Sequence, residues 1–143
     1  MFASEAKPAV LVVDEEPIIA STYKMVLEDE GYAVSTCESY DCGRRQLQKQ
    51  TFDAALIEME LGTKGLGLKL AEDAKKLKKA PLVILSTGYP TIEQLRKALQ
   101  LRVDYLMMRP ANAEDMTRFL QRELTRREAQ KHYKQIERID VPL

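Results

Sequence analysis

The side chains of this chain best suited to chemistry stand where apolar runs stop. Ala9-Val10-Leu11-Val12-Val13 ends abruptly in Asp14-Glu15-Glu16, and Pro17 follows. Ala54-Ala55-Leu56-Ile57 ends in Glu58. Leu82-Val83-Ile84-Leu85 ends in Ser86-Thr87-Gly88. Tyr105-Leu106-Met107-Met108 ends in Arg109-Pro110. Three carboxylates (Asp14, Glu15, Glu58), a hydroxyl (Thr87) and a cation (Arg109) thus share one structural position. Hard divalent cations such as Mg2+ take oxygen ligands, typically one or two carboxylates with phosphate and water. A hydroxyl and a cation opposite the acids suit the oxygens of a phosphoryl group. A single strand-end acid is often a solvated loop residue. The conjunction across four runs is what points to a site.

The elements that must position these groups follow from the same runs. They are short, rich in β-branched residues and without alternation, which reads as strands buried on both faces. In open α/β sheets, ligands bind outside the carboxyl ends of the strands. A first strand over 9–13 leads to a helix opened by Pro17, where no amide hydrogen is needed. Ile18, Ile19, Tyr23, Val26 and Leu27 recur there at helical spacing, and Gly31 stops it. A second strand covers 33–37. Ser39 caps a helix to about residue 50, and a third strand follows at 54–57. A third helix is expected from Leu68 to Lys79 and a fourth strand over 82–85. The fourth helix, about 91–101, carries Ile92, Leu95, Ala98 and Leu99 on one face. A fifth strand covers 105–108, and Asn112 caps a last helix with Met116, Phe119, Leu120 and Leu124. Strands alternating with amphipathic helices imply right-handed crossovers and a parallel sheet covered on both faces.

The totals agree. A chain of 143 residues with 45% hydrophobic and 31% charged content can bury a real core as one domain. Lys+Arg and Asp+Glu balance at 22 each, so net charge selects no partner. There is no membrane-length apolar run, and residues 1–8 lack the apolar centre of a signal peptide. Cys37 and Cys42 are the only cysteines. With no secretion signal they are expected to be reduced thiols, and a cytoplasmic location follows.

Four stretches together resemble the receiver domain of the two-component response regulators. They are 11–17 (Leu-Val-Val-Asp-Glu-Glu-Pro), 53–58 (Asp-Ala-Ala-Leu-Ile-Glu), 85–89 (Leu-Ser-Thr-Gly-Tyr) and 104–110 (Asp-Tyr-Leu-Met-Met-Arg-Pro). The resemblance covers about 9–124. It implies a flavodoxin-like, doubly wound (βα)5 fold with a five-stranded parallel sheet. Residues 1–8 are then a tail, and 125–143 a helical extension or linker. It also implies an Mg2+ site at Asp14 and Glu15, with Glu58 beside them. Glu58 stands at the position of the phosphoacceptor aspartate, Thr87 at that of the hydroxyl that meets the phosphoryl group, and Arg109 at that of a phosphate-contacting lysine. The partner implied is a histidine kinase or another signalling protein. The output face would be helix four, strand five and helix five, about 91–124, which could also carry a homodimer. No membrane contact is expected.

The departures from that pattern carry as much meaning as the matches. The acceptor position holds Glu58, and the lysine position holds Arg109. Gly62 replaces a usual proline, Gly65 and Gly67 are the candidates for the loop glycine, and Leu106 stands where an aromatic is usual, with Tyr105 one place earlier. A glutamate oxygen sits about one bond further out than that of aspartate. In-line attack needs roughly 3–3.5 Å of alignment, and about 1 Å of displacement costs on the order of a hundredfold. Phosphotransfer to Glu58 is therefore disfavoured. Arg109 presents a fork that can grip a carboxylate, closing the site without phosphate. The reading is a pseudo-receiver acting through protein contacts and not an enzyme. Against it stand a phosphorylation-competent receiver using Mg2+ and a scaffold that has lost its chemistry. A phosphatase is disfavoured because Asp14 is followed by Glu15-Glu16, not by a D-x-D pattern.

Other features carry less. The glycines at 62, 65 and 67 lack the spacing of phosphate-cradling motifs. His132 is the only histidine and excludes a multi-histidine site. Ser86 reads as structural. From Arg118 to Arg138 there is no Gly or Pro, so the last helix overruns, as a linker or a dimerisation arm. Its basic residues (Arg118, Arg122, Arg126, Arg127, Lys131, Lys134, Arg138) are interleaved with Glu123, Glu128 and Glu137, which favours a solvated face over a nucleic-acid surface.

Overall fold

The computed structural model describes residues 6–109 and 112–137. The chain divides into two compact units, Met1–Ala111 and Asn112–Leu143. In the first, five strands alternate with four helices: β1 (Ala9–Val13), α1 (Pro17–Asp29), β2 (Ala33–Cys37), α2 (Tyr40–Lys49), β3 (Ala54–Glu58), α3 (Gly67–Lys75), β4 (Leu82–Thr87), α4 (Ile92–Gln100) and β5 (Tyr105–Met108). The strands form one parallel sheet in the order β2-β1-β3-β4-β5. The chain leaves β1 in one direction and returns at β3 in the other. The carboxyl ends of β1 and β3 therefore flank the topological switch point, where α/β sheets bind ligands.

The expected strands are all present. β1, β3 and β4 are buried almost throughout, as unalternating apolar runs require, while β2 and β5 form the partly exposed edges. Leu11, Val13, Ala55, Ile57, Val83 and Leu85 form one core cluster with Leu47, Leu70, Ala74 and Ala98 of α2, α3 and α4. The alternate residues, Val10, Val12, Leu56 and Ile84, lie on the opposite face, on which α1 packs against β1 and β2.

Several local expectations are corrected. The third helix ends at Lys75 instead of Lys79. The Lys76 amide still reaches Glu72, but that of Leu77 reaches only Ala74, the tighter spacing that closes a last turn. On α4, Ala98 faces the core, so Leu99 falls about 100° round the helix. Ile92 and Leu99 are consequently 76% and 78% exposed, and not a buried face. Cys37 and Cys42 are bonded to each other instead of being reduced thiols. The Glu38-Ser39 turn from β2 into α2 brings their Cα atoms to 5.6 Å, well inside the disulfide range.

The second unit contains α5 (Ala113–Glu137), a single helix of 25 residues. Asn112 caps it by accepting from the Glu114 amide at 2.8 Å. Met116, Phe119 and Leu120 are buried, and Tyr133 and Ile136 are exposed. Ion pairs Arg118–Asp115 and Arg126–Glu123, and a 3.6 Å contact between His132 and Glu128, lie along the helix, in keeping with a solvated face. Arg138 and Pro110 lie outside the described residues. No helix among them is long and apolar enough to cross a membrane.

One glycine decides how α3 joins the sheet. A Cβ on Gly67 would lie 2.0 Å from the Glu58 carbonyl oxygen and 2.7 Å from the Met59 Cα. Both are backbone atoms and cannot swing away. We expect Gly67→Ala to lower unfolding free energy by about 3 kcal/mol, the upper range for overpacking. Gly88→Ala, with nothing within 4 Å of the added methyl, should change it by less than about 1 kcal/mol. Urea melts of both variants measure the difference.

Candidate functional site

Register fixes the site. Val13 pairs with Ile57, and Glu58 pairs with Ser86. Asp14, next after Val13, therefore falls beside Glu58. Asp14, Glu58 and Ser86 share the parity of Val12, Leu56 and Ile84, so their side chains emerge on the α1 face. Asp14 and Glu58 are 2% and 5% exposed. Two carboxylates held side by side out of water need a cation.

Arg109 supplies it from the end of β5. One terminal nitrogen donates to Asp14 Oδ2 at 2.5 Å and the other to Glu58 Oε2 at 3.5 Å. Its Nε donates to Ser86 Oγ at 2.9 Å. The fork is thus divided between two acids, not closed bidentately on Glu58. Ser86, read as structural, aims the guanidinium. Tyr23 of α1 shares a hydrogen bond with Ser86, so a helix braces the same network from behind.

The remaining lone pairs have backbone partners. Asp14 Oδ1 accepts from the Glu16 amide at 2.9 Å, and Glu58 Oε1 from the Glu15 amide at 3.2 Å. Glu15 itself turns to the Gly62 amide at 3.3 Å. Thr87, one residue beyond Ser86, is fully buried and donates its hydroxyl to Glu60. Among the described residues, no buried side-chain polar atom lacks a partner.

Electrostatics follow from burial. Desolvation raises the Glu58 pKa above the ordinary carboxylate value, and Asp14 and Glu15 add to it. The Glu15 amide and Arg109 pull the other way without cancelling it. Burial works against the Arg109 charge, but Asp14, Glu58 and Tyr23 more than offset it, so the guanidinium is held protonated. Burial also raises the Tyr23 phenol, partly offset by Arg109 and Ser86.

The carboxylates of Asp14, Glu16 and Glu58 bring oxygen atoms within 4.8 Å of one another. That donor set fits a hard divalent cation. Arg109 engages two of the same three groups, so guanidinium and metal would compete. Of the residues expected at the site, the structure brings Asp14, Glu58 and Arg109 into direct contact. Glu15 joins through its amide, and Thr87 is paired elsewhere. Sequence reasoning missed Glu16, Glu60, Tyr23 and the role of Ser86. Glu60 lies beyond the end of β3, where strand alternation no longer predicts direction, and Tyr23 offered no signal either.

Comparison with known proteins matches residues 10–121 to the response regulator receiver domain. The chain belongs to the response regulator receiver family. This receiver is 32% identical, over 73% of its length, to the alginate biosynthesis transcriptional regulatory protein AlgB of Pseudomonas aeruginosa. It is 23% identical over 93% of its length to the nitrogen assimilation regulatory protein NtrX of Azorhizobium caulinodans. It spans only 23% and 30% of those two proteins. Its fold is similar to a CheY-like receiver domain protein from Methanospirillum hungatei, with a TM-score of 0.82 and 28% identity over 87% of this chain and 99% of that one. It is also similar to a Burkholderia pseudomallei response regulator solved with a phosphorylated aspartic acid, a calcium ion and citrate (TM-score 0.74, 25% identity, 96% and 78% coverage).

Arg109 neutralises two buried acids, and removing it would leave both uncompensated. We expect Arg109→Gln to cost about 3 kcal/mol of unfolding free energy, as when one member of a buried ion pair is deleted. Arg118→Gln, whose partner Asp115 is exposed, should cost less than about 1 kcal/mol. Denaturant titration of the two variants tests the contrast.

Proposed function

We propose that this receiver is a pseudo-receiver: a signalling module that works through protein contacts and does not run the ordinary phosphotransfer cycle. The observation that carries the reading is the Arg109 guanidinium, bonded to both Asp14 and Glu58. It supplies, from within the chain, positive charge where a metal and a phosphoryl group would otherwise meet. Glu58 contributes one negative charge, against about −1.5 to −2 for a phosphorylated side chain. Thr87 already donates to an internal carboxylate, Glu60. Both groups that would contact a phosphoryl group are thus engaged by the chain itself.

Mg2+ remains part of the reading. Asp14, Glu16 and Glu58, with Glu15 beside them, would hold it, and it would neutralise the acids and orient phosphate oxygens. The chain's own residues set the terms. Asp14 and Glu58 must release Arg109, and Ser86 then keeps the guanidinium near the rim.

We assign 9–124 to the receiver and 125–143 to a helical extension. The partner is a histidine kinase or another signalling protein in the cytoplasm. The exposed Ile92 and Leu99 of α4 and Met108 of β5 support contact on that side of the first unit, including with a second copy. The matched regulators are much longer than this chain, and a transcriptional output is proposed only by that likeness.

The test is intact-mass spectrometry after incubation with Mg2+ and acetyl phosphate. The native chain should gain no phosphoryl mass, while Glu58→Asp, or its double with Arg109→Lys, should gain one. A labile adduct on the native chain would make it a phosphorylation-competent receiver. Three silent proteins would favour a scaffold without chemistry.

A further inference from the structure

The Cys37–Cys42 disulfide plays no part in the receiver reading, yet it has the features of a reactive site. Cys37 ends β2 and is 2% exposed, whereas Cys42, in the first turn of α2, is only half-buried. An incoming thiolate therefore has access to one sulfur. Cys42 sits in the first turn of a ten-residue helix whose start is capped by Ser39, its amide donating to Ser39 Oγ at 3.1 Å. Helix N-termini favour thiolate over thiol. Beside it lies an open groove of about 320 Å³ lined by Cys42, Arg45, Gln46, Gln48 and Lys49. Two cations and two amides with no acid suit a ligand bearing carboxylates and amide groups.

We propose that Cys37–Cys42 is a redox-active disulfide, opened at Cys42 by a small anionic thiol that seats in this groove. The thiolate attacks Cys42 Sγ. A mixed disulfide forms there, the bond to Cys37 breaks, and Cys37 leaves as a thiolate that takes a proton from water. A second thiolate attacks the small molecule's own sulfur in that mixed disulfide. Cys42 leaves as a thiolate and is protonated, and the two small thiols depart joined. The protein disulfide gains two electrons and two protons, and two small thiols are oxidised to one disulfide. Nothing but the thiol is consumed.

The experiment uses the full chain, prepared oxidised, with glutathione as the anionic thiol and cysteamine as a cationic one. Freed cysteines are trapped with iodoacetamide and counted by mass. Native protein should be opened faster by glutathione, relative to cysteamine, than the Arg45→Gln/Lys49→Gln double variant. Loss of two surface cations should lower that rate ratio about threefold, and added salt should shrink the difference. An unchanged ratio would remove the groove from the proposal. Single-cysteine variants locate the attack. With oxidised glutathione, Cys37→Ser should take up one glutathione at Cys42, and folded Cys42→Ser should take up none at buried Cys37. Equal labelling of both would overturn attack at Cys42. Free alkylation of both cysteines in the untreated oxidised chain would overturn the disulfide itself.

Discussion

The structure depends on one constraint: parallel register sets Asp14 against Glu58 at the switch point, and neither can be moved. A one-residue slip of β1 or β3 would relocate the acid, but it would also turn Val12 or Leu56 from one face to the other. The apolar packing of the central strands therefore locks two like charges together in a site nearly closed to water. Burial keeps the Glu58 proton affinity high in spite of Arg109. The cation comes from β5, two strands away from β3 in the sheet. With strands about 4.8 Å apart, the group must span roughly 10 Å, shared between a long base and acids reaching toward it. A fork serves this position better than a point charge. It can meet Asp14, Glu58 and Ser86 with three separate nitrogens, which an ammonium on a flexible stem does less well.

The site is consequently self-satisfied on both sides of β4. Ser86 serves Arg109 and, one residue later, Thr87 serves Glu60. Successive residues of a strand point oppositely, so these bonds brace the strand end from two directions. A ligand entering here must replace existing bonds, and each displaced group must find an equivalent partner or bear its full desolvation penalty. That cost disfavours weak ligands. It does not disfavour a divalent cation with phosphate, which would bring both charge signs at once.

Much of this was legible in the sequence because short apolar runs cut off by polar or charged residues mark strand ends to within a residue or two. The five strands, the sheet class and the convergence of Asp14, Glu58 and Arg109 follow from those runs and from chain order. What was not legible lies beyond the last residue of a strand, where the period of two stops applying. Glu15 and Glu16 are adjacent in sequence. Only the turn geometry decides that Glu15 goes to Gly62 while Glu16 stands near Asp14 and Glu58. Tyr23 looked like one more apolar position of α1, since nothing in a helical stripe reveals that its tip reaches Ser86. The exposure of Ile92 and Leu99 turns on a rotation of α4 that Ala98 sets. For the cysteines, composition argued from the whole chain, whereas the outcome was set by the local turn from β2 into α2.

The disulfide and the acidic site are not remote from each other. The Cys37 carbonyl accepts from the Asp14 amide at 3.0 Å. Along the carboxyl edge of the sheet, Cys37, Asp14, Glu58, Ser86 and Arg109 form a row, joined by that bond and by the contacts of the guanidinium. Contiguity alone is not coupling; an element with two states is also required. A disulfide is such an element, because its opening frees the start of α2 from the end of β2. The backbone oxygen that accepts from the Asp14 amide belongs to the residue whose side chain is then released. The end of β2 thus shares a backbone hydrogen bond with Asp14, the acid that Arg109 holds most closely.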